Sequence, residues 1–229
     1  MIVLSLFDGI SCGMVALQKA GIKVERYYAS EIDPYAISIS KNRHPNIVHL
    51  GNVCDIQKYI FIPEKFNLLI GGSPCQDLSV AKKDREGLKG SRSCLFYEYV
   101  RLLNQEKPKY FLFENVNSMT KENKLIITKE LGVEPILIDA SLVSAQSRAR
   151  LFWTNIPNVE LPKDRGIYLK DILENGDFTD RDKSYCIRAT YYKNNTKEYF
   201  RHDPKQMVFT KPIKIGCIGK DSQGNRIYD

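Results

Sequence analysis

The sequence predicts an α/β fold: a doubly wound, mostly parallel seven-stranded sheet with a partial second region towards the C-terminus. Three observations predict it. Short apolar runs alternate with helical patterns over the first 156 residues of the 229-residue chain. Several runs are nearly continuous Val, Ile, Leu and Phe, as in parallel strands covered on both faces. After about Pro157 that rhythm stops, and segments such as Tyr191-Tyr192-Lys193-Asn194-Asn195 take over. We therefore place one domain at 1–156 and the start of a second at 157–229.

The first strand is expected at Ile2–Phe7. It lacks a basic leader and a small-residue cleavage site, so it reads as a core strand and not as a signal peptide. A helix follows over Gly13–Ala20 and stops at Gly21, which tolerates the left-handed cap. Val24–Ser30 is the second strand. Asp33-Pro34 is a cap followed by proline at the first helical position, opening Tyr35–Lys41. Ile47–Leu50 and Asn67–Ile70 come next, the latter ended by Gly71-Gly72. Arg92–Gln105 carries Leu95, Tyr99, Leu102 and Leu103 on one helical face. Tyr110–Glu114, Pro135–Ile138 and Leu151–Trp153 complete the strands, and Leu169–Glu174 is a short helix.

Composition narrows the class. The chain is 43% hydrophobic and 27% charged, as expected of a globular protein. No run approaches the ~18 apolar residues of a membrane span. The net charge is +7, compatible with a polyanionic partner. The six cysteines are Cys12, Cys54, Cys75, Cys94, Cys186 and Cys217, with no C-x-x-C pair, which argues against a zinc site or redox motif. Without an export signal the thiols are expected to be reduced and the protein cytoplasmic.

The most informative stretch is Gly71-Gly72-Ser73-Pro74-Cys75-Gln76. Glycines turn the chain at a strand end, and proline leaves Cys75 at a loop tip. Ligands of open α/β sheets bind beyond the carboxyl ends of strands, so Cys75 is a candidate nucleophile. Three more stretches fall at strand ends. Phe7-Asp8-Gly9-Ile10-Ser11-Cys12-Gly13 opens the first helix, where glycines allow a ligand close to the backbone. Glu31, with Ile32 beside it, ends the second strand and suits ribose hydroxyls. Glu114, before Asn115-Val116, is an acid at the end of a buried strand, suited to holding a proton near neutral pH. In Gln146-Ser147-Arg148-Ala149-Arg150 two arginines on an extended chain are expected to point to one face.

Together these stretches resemble the cytosine-C5 DNA methyltransferase family. Their order is Phe7-Asp8-Gly9…Gly13, Glu31, Gly51-Asn52, Pro74-Cys75-Gln76, Glu114-Asn115-Val116 and Gln146-x-Arg148-x-Arg150. The wording is closest to the mammalian de novo enzymes and their phage relatives. The resemblance implies a Rossmann-like fold using S-adenosylmethionine, with Phe7, Asp8, Gly9, Ser11, Gly13, Glu31, Ile32, Asn52, Val53 and Pro74 around the cofactor. It implies Cys75 as the thiolate that adds to cytosine C6. Glu114 would hold the base at N3 and its exocyclic amine, while Arg150 and Arg148 orient it. The partner implied is double-stranded DNA with a flipped cytosine, with no metal and no membrane. Where the family usually has Gly-Asp, this chain has Gly51-Asn52, an uncharged acceptor.

The resemblance stops after Arg150. No arginine-rich helix motif follows, and Gln223-Gly224-Asn225 echoes the terminal motif only superficially. The chain is therefore expected to be the front part of an enzyme: a subunit needing a second polypeptide, a truncated gene or an expression fragment. A tRNA cytosine-C5 methyltransferase and a non-catalytic regulatory or remnant protein are the alternatives.

Overall fold

A computed structural model describes residues 1–58, 62–74, 95–174, 178–179, 181–186, 208–209, 214–217 and 226–228. Cys75, Gln76, the onset of the expected helix at Arg92, the Tyr191–Asn195 stretch and Gln223-Gly224-Asn225 lie outside them. The elements of the first half are β1 (Ile2–Leu6), α1 (Cys12–Lys19), β2 (Arg26–Ser30), α2 (Pro34–Arg43), β3 (Val48–His49) and β4 (Leu68–Gly71). Then come α3 (Leu95–Glu106), β5 (Tyr110–Val116), α4 (Lys121–Leu131), β6 (Ile136–Asp139) and β7 (Ala149–Thr154).

Seven strands form one sheet in the order β3-β2-β1-β4-β5-β7-β6. The pairs β2–β3, β1–β2, β1–β4 and β4–β5 are parallel, whereas β7 runs antiparallel to β5. The order reverses at β1, with β2 on one side and β4 on the other; ligands of open α/β sheets bind beyond the strand ends at such a point.

Alternate residues of each strand face opposite sides, so a continuous apolar run feeds two cores. Leu4 and Leu6 of β1, Leu69 of β4, Phe113 of β5 and Trp153 of β7 join Phe96, Tyr99 and Leu102 of α3 and Ile127 of α4 on one side. Val3, Tyr27, Ala29, Leu68 and Ile70 join Leu17 of α1 on the other. Trp153 is fully buried and its indole N–H donates to Thr128 Oγ1 at 3.0 Å, so the one polar atom of the ring is satisfied.

The helix ends follow local chemistry. Asp33 accepts from the N–H groups of Tyr35 (2.8 Å) and Ala36 (3.2 Å) at the start of α2, with Pro34 in the first turn. Helix α4 was not foreseen. Thr120 caps it by accepting from Asn123 N, and Gly132 ends it in the left-handed region at φ 69°. Leu169–Ile172 forms one 3-10 turn where a longer helix was expected. Asp171 accepts from the N–H of Tyr168, the residue that caps this turn, at 2.7 Å.

The chain divides into two compact units, 1–138 with 150–160, and 139–149 with 161–229. The boundary drawn at 156/157 from sequence thus falls at 160/161, and the β6–β7 connection belongs to the second unit. That unit contains two small antiparallel pairs, β8 (Phe178–Thr179) with β9 (Val208–Phe209) and β10 (Lys214–Cys217) with β11 (Arg226–Tyr228). Among the described residues no helix is long and apolar enough to cross a membrane.

Candidate active site

The turn from β1 to α1 takes an unusual path. Phe7 (φ 56°), Gly9 (φ 58°) and Ser11 (φ 63°) are all left-handed, and the first and last lack glycine's freedom. Asp8 holds this path. Its Oδ1 accepts from Ser5 Oγ (2.5 Å) and Tyr27 Oη (2.7 Å), and its Oδ2 accepts from Ser11 Oγ. Ser11 is fully buried and its hydroxyl also meets Ser40 Oγ at 2.5 Å, with His49 Nε2 3.4 Å beyond. Burial, then the charge of Lys41, pushes His49 below its ordinary value, so this polar chain ends on a neutral ring. Burial and the adjacent Asp8 carboxylate raise the Tyr27 phenol far above its usual value, which keeps it a donor.

Glu31 is organised by backbone. Its Oε2 accepts from Gly9 N (2.8 Å), and its Oε1 accepts from Ile32 N (2.8 Å) and Asp33 N (2.9 Å). Beside it the Ile32 side chain lies open to solvent at 73% exposure. A carboxylate offers about four acceptor positions, so Glu31 keeps one for an incoming hydroxyl.

Several residues expected at the cofactor do other work. A Cβ on Gly13 would collide with Ile70 Cδ1 and lie 2.6 Å from Tyr27 Oη, so this glycine lets α1 close onto the sheet. The Val53 side chain is buried in the larger core, leaving only its backbone for a ligand. Asn52 Oδ1 accepts from Cys54 N at 3.1 Å and caps a 3-10 turn, Val53–Asp55. Pro74 is half-buried, and Phe7 packs partly on the larger core.

At the other corner Glu114 Oε1 meets Arg150 Nε at 2.8 Å. The register explains the pairing. Glu114 sits opposite Phe152 and Val116 opposite Arg150, so Glu114 and Arg150 are diagonal neighbours on one face. The acid expected at the end of a buried strand is partly exposed and paired. The Glu114 side chain is 36% exposed, that of Arg150 19%, and the two form an ion pair. Gly72 lies against them, where a Cβ would come 2.8 Å from Glu114 Oε2 and 3.0 Å from Glu114 O. Asn115 Nδ2 donates to Ser73 O and Oγ, both at 3.4 Å, and so ties down the residues that lead to Cys75.

Arg148 lies just before β7 and Arg150 within it. β7 begins only at Ala149. Arg148 N is held by Asp139 Oδ1 at 2.9 Å, and its Nη1 reaches Cys186 Sγ at 3.3 Å. The sequence also gave no sign of the residue that braces this connection, Lys183, because it stands in the charged run Asp180-Arg181-Asp182-Lys183. Among the described residues no cluster of His, Cys, Asp and Glu has the makings of a metal site.

A family model for the C-5 cytosine-specific DNA methylase matches residues 1–208. The chain belongs to that family. It is 33% identical to the orphan methyltransferase M.Rho11sI of Bacillus phage rho11s, over 99% of this chain and 55% of that protein. It is 38% identical to the orphan methyltransferase M.SPRI of Bacillus phage SPR, over 76% of this chain and 42% of that protein. The type II methyltransferase M.NgoBV of Neisseria gonorrhoeae is 29% identical over 70% of this chain and 42% of its own length. This C-5 methylase chain thus spans about half the length of the curated relatives it matches. A solved structure of a DNA modification methyltransferase encoded within an E. coli prophage aligns with TM-score 0.53 at 24% identity, over 67% of this chain and 46% of that one. That likeness bears on the fold.

The corner at Glu31 fits the nucleoside of the sulfonium cofactor that C-5 methylases use. A preset carboxylate with a spare acceptor position suits a ribose diol, and the exposed Ile32 suits an adenine face. The left-handed Gly9 leaves open space where a side chain would stand.

Proposed function

We propose that this chain catalyses transfer of a methyl group from S-adenosylmethionine to C5 of a flipped cytosine in DNA, with Cys75 as nucleophile. The observation that supports it most is the Glu114–Arg150 pair on the face of β5 and β7, set against Gly72 three residues before Cys75. Bound S-adenosylmethionine would supply an electrophilic methyl group. Glu31 and Ile32 would hold its nucleoside, Asn52 would face the adenine amine, and the Asp8–Ser11 turn would lie along its amino-acid end.

The remaining chemistry is the chain's own. The Cys75 thiolate adds to C6 as Glu114 delivers a proton to N3, which makes C5 enamine-like. Glu114 also accepts from the exocyclic amine, and Arg150 offsets charge around the ring. After C5 takes the methyl group, water acting as base removes the C5 proton, the C6–S bond breaks to restore the thiolate, and N3 returns its proton to Glu114. The base must leave the duplex to be reached. Residues beyond those this chain shares with its relatives would complete DNA recognition, either from a second polypeptide or from a longer chain.

A duplex carrying 5-fluorocytosine tests the chemistry, because the C5 substituent cannot leave and the adduct stays trapped. The expected result is a denaturation-resistant protein–DNA band with wild type and none with Cys75→Ala. A folded, cofactor-binding wild type that gives neither adduct nor methyl transfer, even when the remaining length of a relative is added, would sink the proposal. Transfer to tRNA and not DNA would move the substrate class.

A further inference from the structure

The β6–β7 connection brings Gln146 and Arg148 to the start of β7, and its shape is set by a segment some forty residues downstream. Lys183 Nζ donates to Ser141 O (2.7 Å), Ser144 O (3.2 Å) and Ile167 O (2.6 Å). An ammonium has three hydrogens, so these carbonyls use all of them. The Tyr168 ring lies 5.3 Å from the same nitrogen. The next residue, Ser184, is buried and bonds in both directions: its N–H donates to Ala145 O (2.7 Å), and its C=O accepts from Ser147 N (2.8 Å). Two residues on, Cys186 Sγ accepts from Arg148 Nη1 at 3.3 Å. Residues 183–186 therefore follow 141–148 along its length, with Gln146 and Ser184 in a parallel bridge.

This is not how a surface lysine behaves. Asp182 precedes it, yet the ammonium is committed to backbone oxygens on two separate stretches of chain. Anchoring carbonyls fixes main-chain path, whereas pairing a carboxylate would fix only another side chain.

We infer that Lys183 is a positioning residue of the methyl-transfer site: it touches neither base nor cofactor, and holds the connection in the shape that places Arg148. The inference rests on the proposed methyl transfer and on the base-orienting role that the family resemblance implies for Arg148, and it assigns a part in catalysis to a residue outside the motifs that carry that resemblance.

Amide hydrogen exchange on the whole chain, wild type against Lys183→Met, tests the bracing directly. Exchange at Ser147 and Ser184 should accelerate about tenfold or more, as for loss of a charged hydrogen-bond anchor, while β1 and β4 stay protected. Unchanged exchange overturns the inference whatever the activity. Should Lys183→Met fail to fold, Lys183→Gln, which keeps an amide donor, is measured in the same way. Kinetics supply the second readout: kcat should fall about tenfold with the cofactor KM unchanged, and Lys183→Arg should recover part of the loss. Equal loss in Met and Arg variants, or a change in cofactor KM alone, also overturns it. A wild type that transfers no methyl group would count against the proposed reaction, and the exchange result would still decide Lys183.

Discussion

Two places in this molecule hold the backbone in a demanding path, and they do so with opposite charge. At the β1–α1 turn and the end of β2 beside it, carboxylates collect donors: Asp8 takes three hydroxyls and Glu31 takes three backbone N–H groups. In the β6–β7 connection an ammonium collects acceptors, with Lys183 on three carbonyls. The capacities differ. A carboxylate has about four acceptor positions and an ammonium three donors. Glu31 can therefore brace the chain and still receive a ligand, whereas Lys183 is fully spent on the frame. The first place is fit to bind as well as to hold; the second only holds.

Substitutions can break or sharpen that contrast. The largest effect belongs to Glu114, which is proposed to act on the base directly. Glu114→Gln should lower kcat by about 10²–10⁴-fold, the usual worth of a positioned acid, with cofactor binding intact by calorimetry. Gly72→Ala comes next, because its new Cβ meets Glu114 backbone and side chain together. It should cost about 1–3 kcal/mol in denaturant unfolding and lower transfer by shifting the Glu114–Arg150 pair. Asp8→Asn turns one acceptor oxygen into a donor facing hydroxyls. It should cost about 1–3 kcal/mol and weaken cofactor binding. An unchanged melting curve and affinity would show that the turn keeps its shape without the carboxylate.

Acid separates the two places further. Burial pushes the Asp139 carboxyl up, but the N–H groups of Ser141 and Arg148 outweigh it and hold the group below its ordinary value. A carboxyl lowered in the folded state stabilises above its unfolded value, and that contribution is lost as pH falls through the folded value. Exchange at the Ser141 and Arg148 amides, relative to their intrinsic rates, should therefore quicken below about pH 4. Asp139→Asn should flatten that response. The smallest effect is a gain. Asn52→Asp keeps the cap on Cys54 and adds charge, so cofactor affinity should rise by about several-fold; unchanged or weaker affinity would count against its place at the adenine.

The sequence made the sheet legible because its strands are nearly pure apolar runs ended by Gly, Asp or Glu. All seven expected strands form, with ends shifted by one or two residues. Direction was not legible, since an apolar run reads the same both ways, and β7 reverses. Helix α4 escaped because Lys121-Glu122-Asn123-Lys124 masks its apolar Leu125, Ile126 and Ile127. The Glu114–Arg150 pair was half legible: both residues stand out by type, but only the antiparallel register makes them neighbours. Lys183 was not legible at all, because its partners are main-chain oxygens and carry no side-chain signature.

The reversed strand also bears on the order in which the fold can be assembled. β6 lies at the sheet edge and has only β7 beside it, while β7 is its sole link to β5. The two must therefore reach the sheet as a pair, or β7 first. Until they dock, Glu114 has no Arg150. The β1–α1 turn and Glu31 need only β1, β2 and their neighbours, which pair without them. During folding, then, the corner suited to a nucleoside can be complete while the corner proposed for the base is still half built.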